Sequence, residues 1–162
     1  MTNNDNNKRI LALDPSGTGT TGIFLKLAQK EEFRAFTFAD WEQHLQFLVA
    51  LVGRFKPSLV LYESTNYINS RGKDMTSLLK LIGGIESLSN HFALKVEKVP
   101  VNQVKELKRK LFKGQVSIPG LSYASGRGKG WSYAGERISV HCLEAYLVYW
   151  LWKAKQKDYD NH

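Results

Sequence analysis

Two short apolar runs, each closed by a carboxylate, constrain this chain more than any other feature. Ile10, Leu11, Ala12 and Leu13 lead into Asp14, and Leu59, Val60, Leu61 and Tyr62 lead into Glu63. Apolar runs without polar alternation read as strands buried on both faces, the signature of a sheet covered by helices. Pro15 ends the first run, and the turn-rich residues 64–73 follow the second. Neighbouring strands of this kind would bring both acids to one edge, at the carboxyl ends where open α/β sheets bind their ligands.

The remaining elements fill in an α/β alternation. Residues 20–27 and 32–38 carry β-branched and aromatic side chains at strand spacing, which predicts a meander after the first strand. Trp41, Leu45, Leu48, Leu51 or Val52, and Phe55 recur at helical spacing, with Asp40 placed as N-cap and Pro57 just beyond the end. Leu78, Leu81, Ile82, Ile85 and Leu88 mark a second helix, in which Gly83 and Gly84 would admit the close approach of another element. A strand at 95–99, a basic helix at 101–113 and an aromatic-rich helix at 137–155 follow. Residues 114–135 hold six of the 13 glycines and four serines, and read as a mobile Gly-rich loop. The expected architecture is a mixed central sheet of about five strands flanked by helices, formed by residues 1–162 as one domain without internal repeats.

The formal net charge is +8, and residues 95–137 contribute ten basic against three acidic side chains. Such concentration suits a polyanion, because neutralised phosphates release counterions. A solvated basic face selected for solubility is the alternative. The longest apolar stretch, residues 145–152, is far shorter than the ~20 residues of a membrane span, so no membrane partner is expected. Residues 1–9 are polar and lack the apolar core of a secretory signal, which predicts a cytoplasmic protein. Cys142 is the single cysteine, so an intrachain disulfide and a cysteine-clustered zinc site are both excluded.

A second acidic pair lies in the aromatic-rich helix, where His141 and Glu144 are three residues apart and share one side. Asp14, Glu63, His141 and Glu144 together offer hard oxygen ligands and one imidazole, a set suited to Mg²⁺ or Mn²⁺ beside phosphate oxygens. Two such ions clamp the attacking and leaving oxygens of an in-line phosphodiester displacement. Each residue also has a structural reading: Asp14 as turn-former, His141 as a core histidine, Glu144 as a surface acid. Glu63 fits such a reading less well, since strands disfavour Glu. Gly17, Gly19 and Gly22 spell a literal G-x-G-x-x-G, with Asp40 in place for a ribose contact, yet Thr20 to Ile23 reads equally well as strand. No G-x-x-x-x-G-K-[ST] occurs, and no nucleotide cofactor is expected.

In order and spacing these pieces resemble the RuvC family of Holliday junction resolvases, within the ribonuclease H-like superfamily. Ile10 to Ser16 is similar to that family's opening strand with its metal-binding aspartate, and Leu59 to Glu63 to the strand with the second acid. The Gly83-Gly84 helix resembles the long helix that packs the dimer. Val99, Pro100, Gln103, Val104 and Lys105 resemble its strand and Gln-Val-Lys helix start, and His141, Glu144 and Ala145 its terminal H-x-x-D-A motif, with Glu144 where Asp is usual.

The resemblance implies a ribonuclease H-like fold and a crossover junction endodeoxyribonuclease of DNA recombination and repair. Asp14, Glu63, His141 and Glu144 would hold two Mg²⁺ ions, Mn²⁺ substituting, with His141 as ligand or base. Lys105, Lys108, Arg109 and Lys113 would contact phosphates, joined by Arg127, Lys129, Arg71 and Lys73, and Tyr67 is nearest to the aromatic that stacks at the junction. Four-way junction DNA cut by paired symmetric nicks implies a homodimer, with the Leu78 to Leu88 helix, on the apolar face that carries Ile85, as the expected interface. The alternatives are another ribonuclease H-like nuclease acting on RNA-DNA hybrids or branched DNA, a junction-binding module without catalysis, and a nucleotide-binding protein built on Gly17 to Gly22.

Overall fold

The computed structural model describes residues 7–65 and 73–161. Strands β1 (Ile10–Asp14), β2 (Thr20–Lys26) and β3 (Glu31–Thr37) form the expected meander, followed by helix α1 (Trp41–Phe55) and strand β4 (Leu59–Ser64). Helix α2 (Lys73–Glu86), a 3-10 turn (Ser87–Asn90), strand β5 (Lys95–Pro100) and helix α3 (Val101–Phe112) come next. Strands β6 (Leu121–Ala124), β7 (Gly130–Tyr133) and β8 (Glu136–Ile138) precede helix α4 (Val140–Asp160). The central sheet has the order β3-β2-β1-β4-β5, antiparallel across β3, β2 and β1 and parallel across β1, β4 and β5. It is the mixed five-stranded sheet that the two acid-ended runs predict.

Strand parity divides the core into two layers. Ile10 and Ala12 of β1 and Leu59 and Leu61 of β4 pack with Leu143, Leu147 and Val148 of α4. Leu11, Leu13, Val60 and Tyr62 pack on the opposite face with Leu48, Leu51 and Val52 of α1 and Leu81, Ile85 and Leu88. Each fully buried aliphatic side chain contributes about 1.5–3 kcal/mol, so both faces anchor the sheet. Asp40 caps α1 as the sequence predicts, its Oδ1 accepting from the Gln43 amide at 2.9 Å.

Two expectations are corrected here. Residues 114–135 are not wholly loop: Leu121–Ala124 and Gly130–Tyr133 are strands that with β8 form a second, three-stranded antiparallel sheet of order β6-β7-β8, with Leu121 opposite Tyr133 and Tyr123 opposite Trp131. Gly126 and Gly128 make the β6–β7 turn at positive φ, while Leu121, Trp131, Tyr133 and Ile138 pack against the α4 side of the core. The face of Ile85 on α2 is the second correction. Ile85 is fully buried against α1 and the central sheet, so its apolar stripe closes this chain's own core. An ideal Cβ on Gly84 would stand 2.6 Å from the Leu45 side chain, so this glycine does serve a close approach, that of α1.

Candidate active site

The parity that sorts the core also aims the acids. Asp14 continues the face of Ile10 and Ala12, and Glu63 that of Leu59 and Leu61, so both carboxylates point toward α3 and α4. In the parallel β1–β4 register Leu13 lies opposite Tyr62, which makes Asp14 and Glu63 the next pair at the carboxyl edge. Helix α4 supplies the remainder. Ser139 caps it by accepting from the Cys142 amide at 3.2 Å, which fixes the first turn and with it His141.

His141 Nδ1 stands 3.2 Å from Asp14 Oδ2. Asp14, His141 and Glu144 each present a ligand atom within 4.8 Å of the others. Glu63 lies outside that trio but close enough to be coupled electrostatically to both Asp14 and Glu144. Burial, then repulsion from Glu144 and Glu63, pushes the Asp14 carboxyl up to about 9. Burial and Glu144 push Glu63 up to about 7, against the pull of Lys105 and Lys108. Glu63 Oε2 is buried and accepts no hydrogen bond among the described residues. An orphaned carboxylate oxygen beside two mutually repelling acids and an imidazole is a donor set that a hard divalent cation fits.

The predicted phosphate contacts fall in different places. Lys108 reaches into the acidic cluster and forms an ion pair with Glu144. Lys105 faces Glu63 closely enough to lower its pKa. Arg109 turns to the outer face of α3 and pairs with Glu106 at 2.7 Å, while Lys113 is the exposed C-cap. Arg127 and Lys129 sit in the β6–β7 turn, whose Lys129 carbonyl accepts from Arg137 at 2.6 Å. That hydrogen bond ties the turn to the strand leading into α4. Tyr67 and Arg71, and the side chain of Lys73, lie outside the described residues.

The glycine motif after Asp14 proves to be packing. A Cβ on Gly17 would meet the α2 backbone at Leu78 N (2.4 Å), and one on Gly22 would stand 2.0 Å from the His141 carbonyl oxygen. These glycines open no helix: Gly17 and Gly19 precede β2, and Gly22 lies within it. They let α2 and the first turn of α4 close over the acidic edge, a role quite unlike a dinucleotide fingerprint. Sequence reading also missed a support beneath the loop after Asp14. His44, wholly buried, donates from Nε2 to the Phe38 carbonyl (3.1 Å) and accepts the Thr21 hydroxyl on Nδ1 (3.1 Å). Thr21 Oγ1 in turn accepts the Ser16 amide at 3.0 Å. Burial lowers the His44 pKa and keeps the ring neutral for both bonds.

The fold is ribonuclease H-like, with acids gathered at the carboxyl edge of its central sheet. No protein-family model and no curated protein sequence matches the chain. Among solved structures it is similar to Thermus thermophilus RuvC in complex with a Holliday junction substrate, at 12% identity and TM-score 0.55, covering 87% of this chain and 89% of that one. A second Thermus thermophilus RuvC structure matches at 15% identity and TM-score 0.57, over 86% and 90% of the two chains. The yeast mitochondrial Holliday junction resolvase Ydc2 matches at 12% identity and TM-score 0.51, over 95% and 82%. The resemblance read from the motifs is therefore matched in the fold.

Proposed function

We propose that this protein is a divalent-metal-dependent endonuclease that cuts four-way junction DNA by paired nicks. The observation that carries the reading is the convergence of Asp14, Glu63, His141 and Glu144 from three separated segments onto one edge, with Lys108 against Glu144. Its fold likeness to junction resolvases narrows the substrate from nucleic acid in general to branched DNA.

Asp14, Glu63, Glu144 and His141 would hold two Mg²⁺ ions, with Mn²⁺ as substitute; bound there, the ions supply Lewis-acid charge for the scissile phosphate and acidify water. The protein's own groups do the rest. Asp14 Oδ2, 3.2 Å from His141 Nδ1, orients the ring, so that His141 would serve either as a ligand or, holding no ion, as the base that takes a proton from water. Lys108 moderates the negative field of the carboxylates and offers its ammonium to an incoming phosphate. Lys105, Lys113, Arg127 and Lys129 extend that positive surface, and the N-terminal turn of α4 adds a favourable dipole end.

A four-way junction has approximate two-fold symmetry, so a homodimer would place one site on each scissile strand. With Ile85 inside the fold, exposed Leu79 on the outer side of α2 becomes the interface candidate.

The test is cleavage of a labelled synthetic four-way junction in Mg²⁺ or Mn²⁺, beside linear duplex, flap and RNA-DNA hybrid, with Asp14→Asn as control. Symmetric nicks on the junction alone, lost in the variant, are expected. Hybrid cleavage would move the protein to a ribonuclease reading, and tight junction binding without nicks to a binding module.

A further inference from the structure

Two exposed aromatic side chains stand together past the end of the α3 stripe that carries Lys105 and Lys108, and neither belongs to the site described above. Phe112 at the end of α3 is 61% exposed, and Tyr123 on β6 is 37% exposed. Their ring centroids lie 5.0 Å apart at 64°. Tyr123 continues to Trp131 of β7, again at 5.0 Å, and Trp131 packs into the α4 side of the core. The exposed pair is thus the outer end of an aromatic row rooted in the interior, which holds the rings firmly at the surface.

Position along α3 ties this pair to the acids. Lys105, Lys108 and Phe112 are spaced i, i+3 and i+7, one stripe of a helix. Lys108 touches Glu144 and Lys105 faces Glu63, so Phe112 follows on the same stripe about one turn, or ~6 Å along the helix axis, beyond Lys108. Two stacked nucleotides span roughly that length. Lys113 adjoins Phe112 in sequence, and the β6–β7 turn with Arg127 and Lys129 extends from the strands that carry Tyr123 and Trp131. An apolar ring surface bordered by cations matches a nucleotide, whose base is flat and apolar-faced and whose phosphate is anionic.

Resting on the nuclease reading, we infer that Phe112 and Tyr123 form a stacking platform for an unpaired nucleobase, one or two nucleotides from the phosphate held at the carboxylates. Intact duplex offers ring faces only to neighbouring base pairs, so its bases cannot use the platform. A base freed at a strand crossing or in a single strand can. The platform would therefore favour open DNA structure over linear duplex.

The experiment compares binding of wild type, Phe112→Ala, Tyr123→Ala, Phe112→Leu and Phe112→Trp to a four-way junction, a single strand and a linear duplex of equal length, in EDTA. Each truncation should weaken junction and single-strand binding roughly 5- to 150-fold and leave duplex binding within about twofold. Phe112→Trp should keep wild-type affinity, and 2-aminopurine in the single strand should be quenched by wild type and not by Phe112→Ala. Unchanged affinities, an equal loss on all three DNAs, or full affinity in Phe112→Leu would overturn the platform. So would altered sedimentation of Phe112→Ala with DNA binding intact, since that marks a protein interface. If wild type cuts junctions while the truncations bind normally, the platform fails and the nuclease stands. If wild type cuts nothing in Mg²⁺ or Mn²⁺ yet loses single-strand binding with Phe112, the platform stands and the nuclease fails.

Discussion

Lys108 on α3 is ion-paired with Glu144 on α4, and so brings an ammonium into the same cluster as Asp14 and Glu63. The cation lowers the pKa of both of those acids while neutralising a third. It thereby sits between two competing demands, holding phosphate and leaving enough negative charge to hold a metal.

Lys108→Ala should separate these demands. Removing the ammonium strengthens the negative field, so the Mg²⁺ or Mn²⁺ concentration for half-maximal stabilisation should fall by about fivefold, near 1 kcal/mol for a partly exposed pair. Junction affinity should fall over the same comparison. Thermal melts across a metal titration and fluorescence anisotropy with labelled junction check the two directions; movement in the same sense would contradict this assignment.

The raised acids make metal-free stability depend on pH with a definite sign. Asp14 has its folded pKa near 9 against an ordinary 3.8, and Glu63 near 7 against 4.5. Between those limits the folded state keeps protons that the unfolded state has released, so stability is fullest at low pH and falls as pH rises toward 9. Asp14→Asn removes part of that slope. In EDTA at pH 8 it should melt higher than wild type by about 3–8 °C, corresponding to roughly 1–3 kcal/mol for the proton that the wild-type carboxyl must take up on folding. Adding Mg²⁺ should raise the wild-type Tm more than that of the variant.

Gly22 and Gly83 should respond oppositely to alanine. A Cβ at Gly22 would collide with the His141 carbonyl at 2.0 Å, whereas among the described residues nothing outside the helix's own backbone lies within 4 Å of an ideal Cβ at Gly83. Gly22→Ala must displace the first turn of α4, at a cost above about 3 kcal/mol. Gly83→Ala, within a helix, should gain about 0.5–1 kcal/mol. Urea midpoints measure both, and nicking should vanish only with Gly22→Ala.

Ile85→Arg and Leu79→Arg distinguish core from interface on α2. Ile85 is fully buried and Leu79 is 53% exposed. The first should unfold the protein, burying a charge without a partner. The second should leave the Tm within about 2 °C, as exposed substitutions do, and convert a dimer to a monomer in sedimentation velocity. A dimeric Leu79→Arg would place the interface elsewhere.

Much of the site's framework could be read in advance because strand acids carry their own address. Asp14 and Glu63 end apolar runs, and His141 and Glu144 share a helix side by spacing alone. What an apolar stripe faces is not written in its period, which is why the Ile85 face suggested a partner although α1 and the sheet cover it. Residues 114–135 misled for a different reason. Glycine and serine dominated the composition, while the period-two signal at Leu121 and Tyr123 and at Trp131 and Tyr133 spans only two positions per strand. The contact of Lys108 with Glu144 bridges 36 positions and leaves no local trace, and His44 lies inside an amphipathic helix as one more core residue.

Helix α4 both fills one side of the core and carries His141 and Glu144 to the acidic edge. A chain synthesised only as far as Gly135 would already own both strand acids but lack the pair that completes the cluster. Cutting power, on the proposed reading, therefore arrives only with the docking that also completes the hydrophobic interior. On that reading, a copy whose α4 has not docked would hold two of the four acidic-edge ligands and no more.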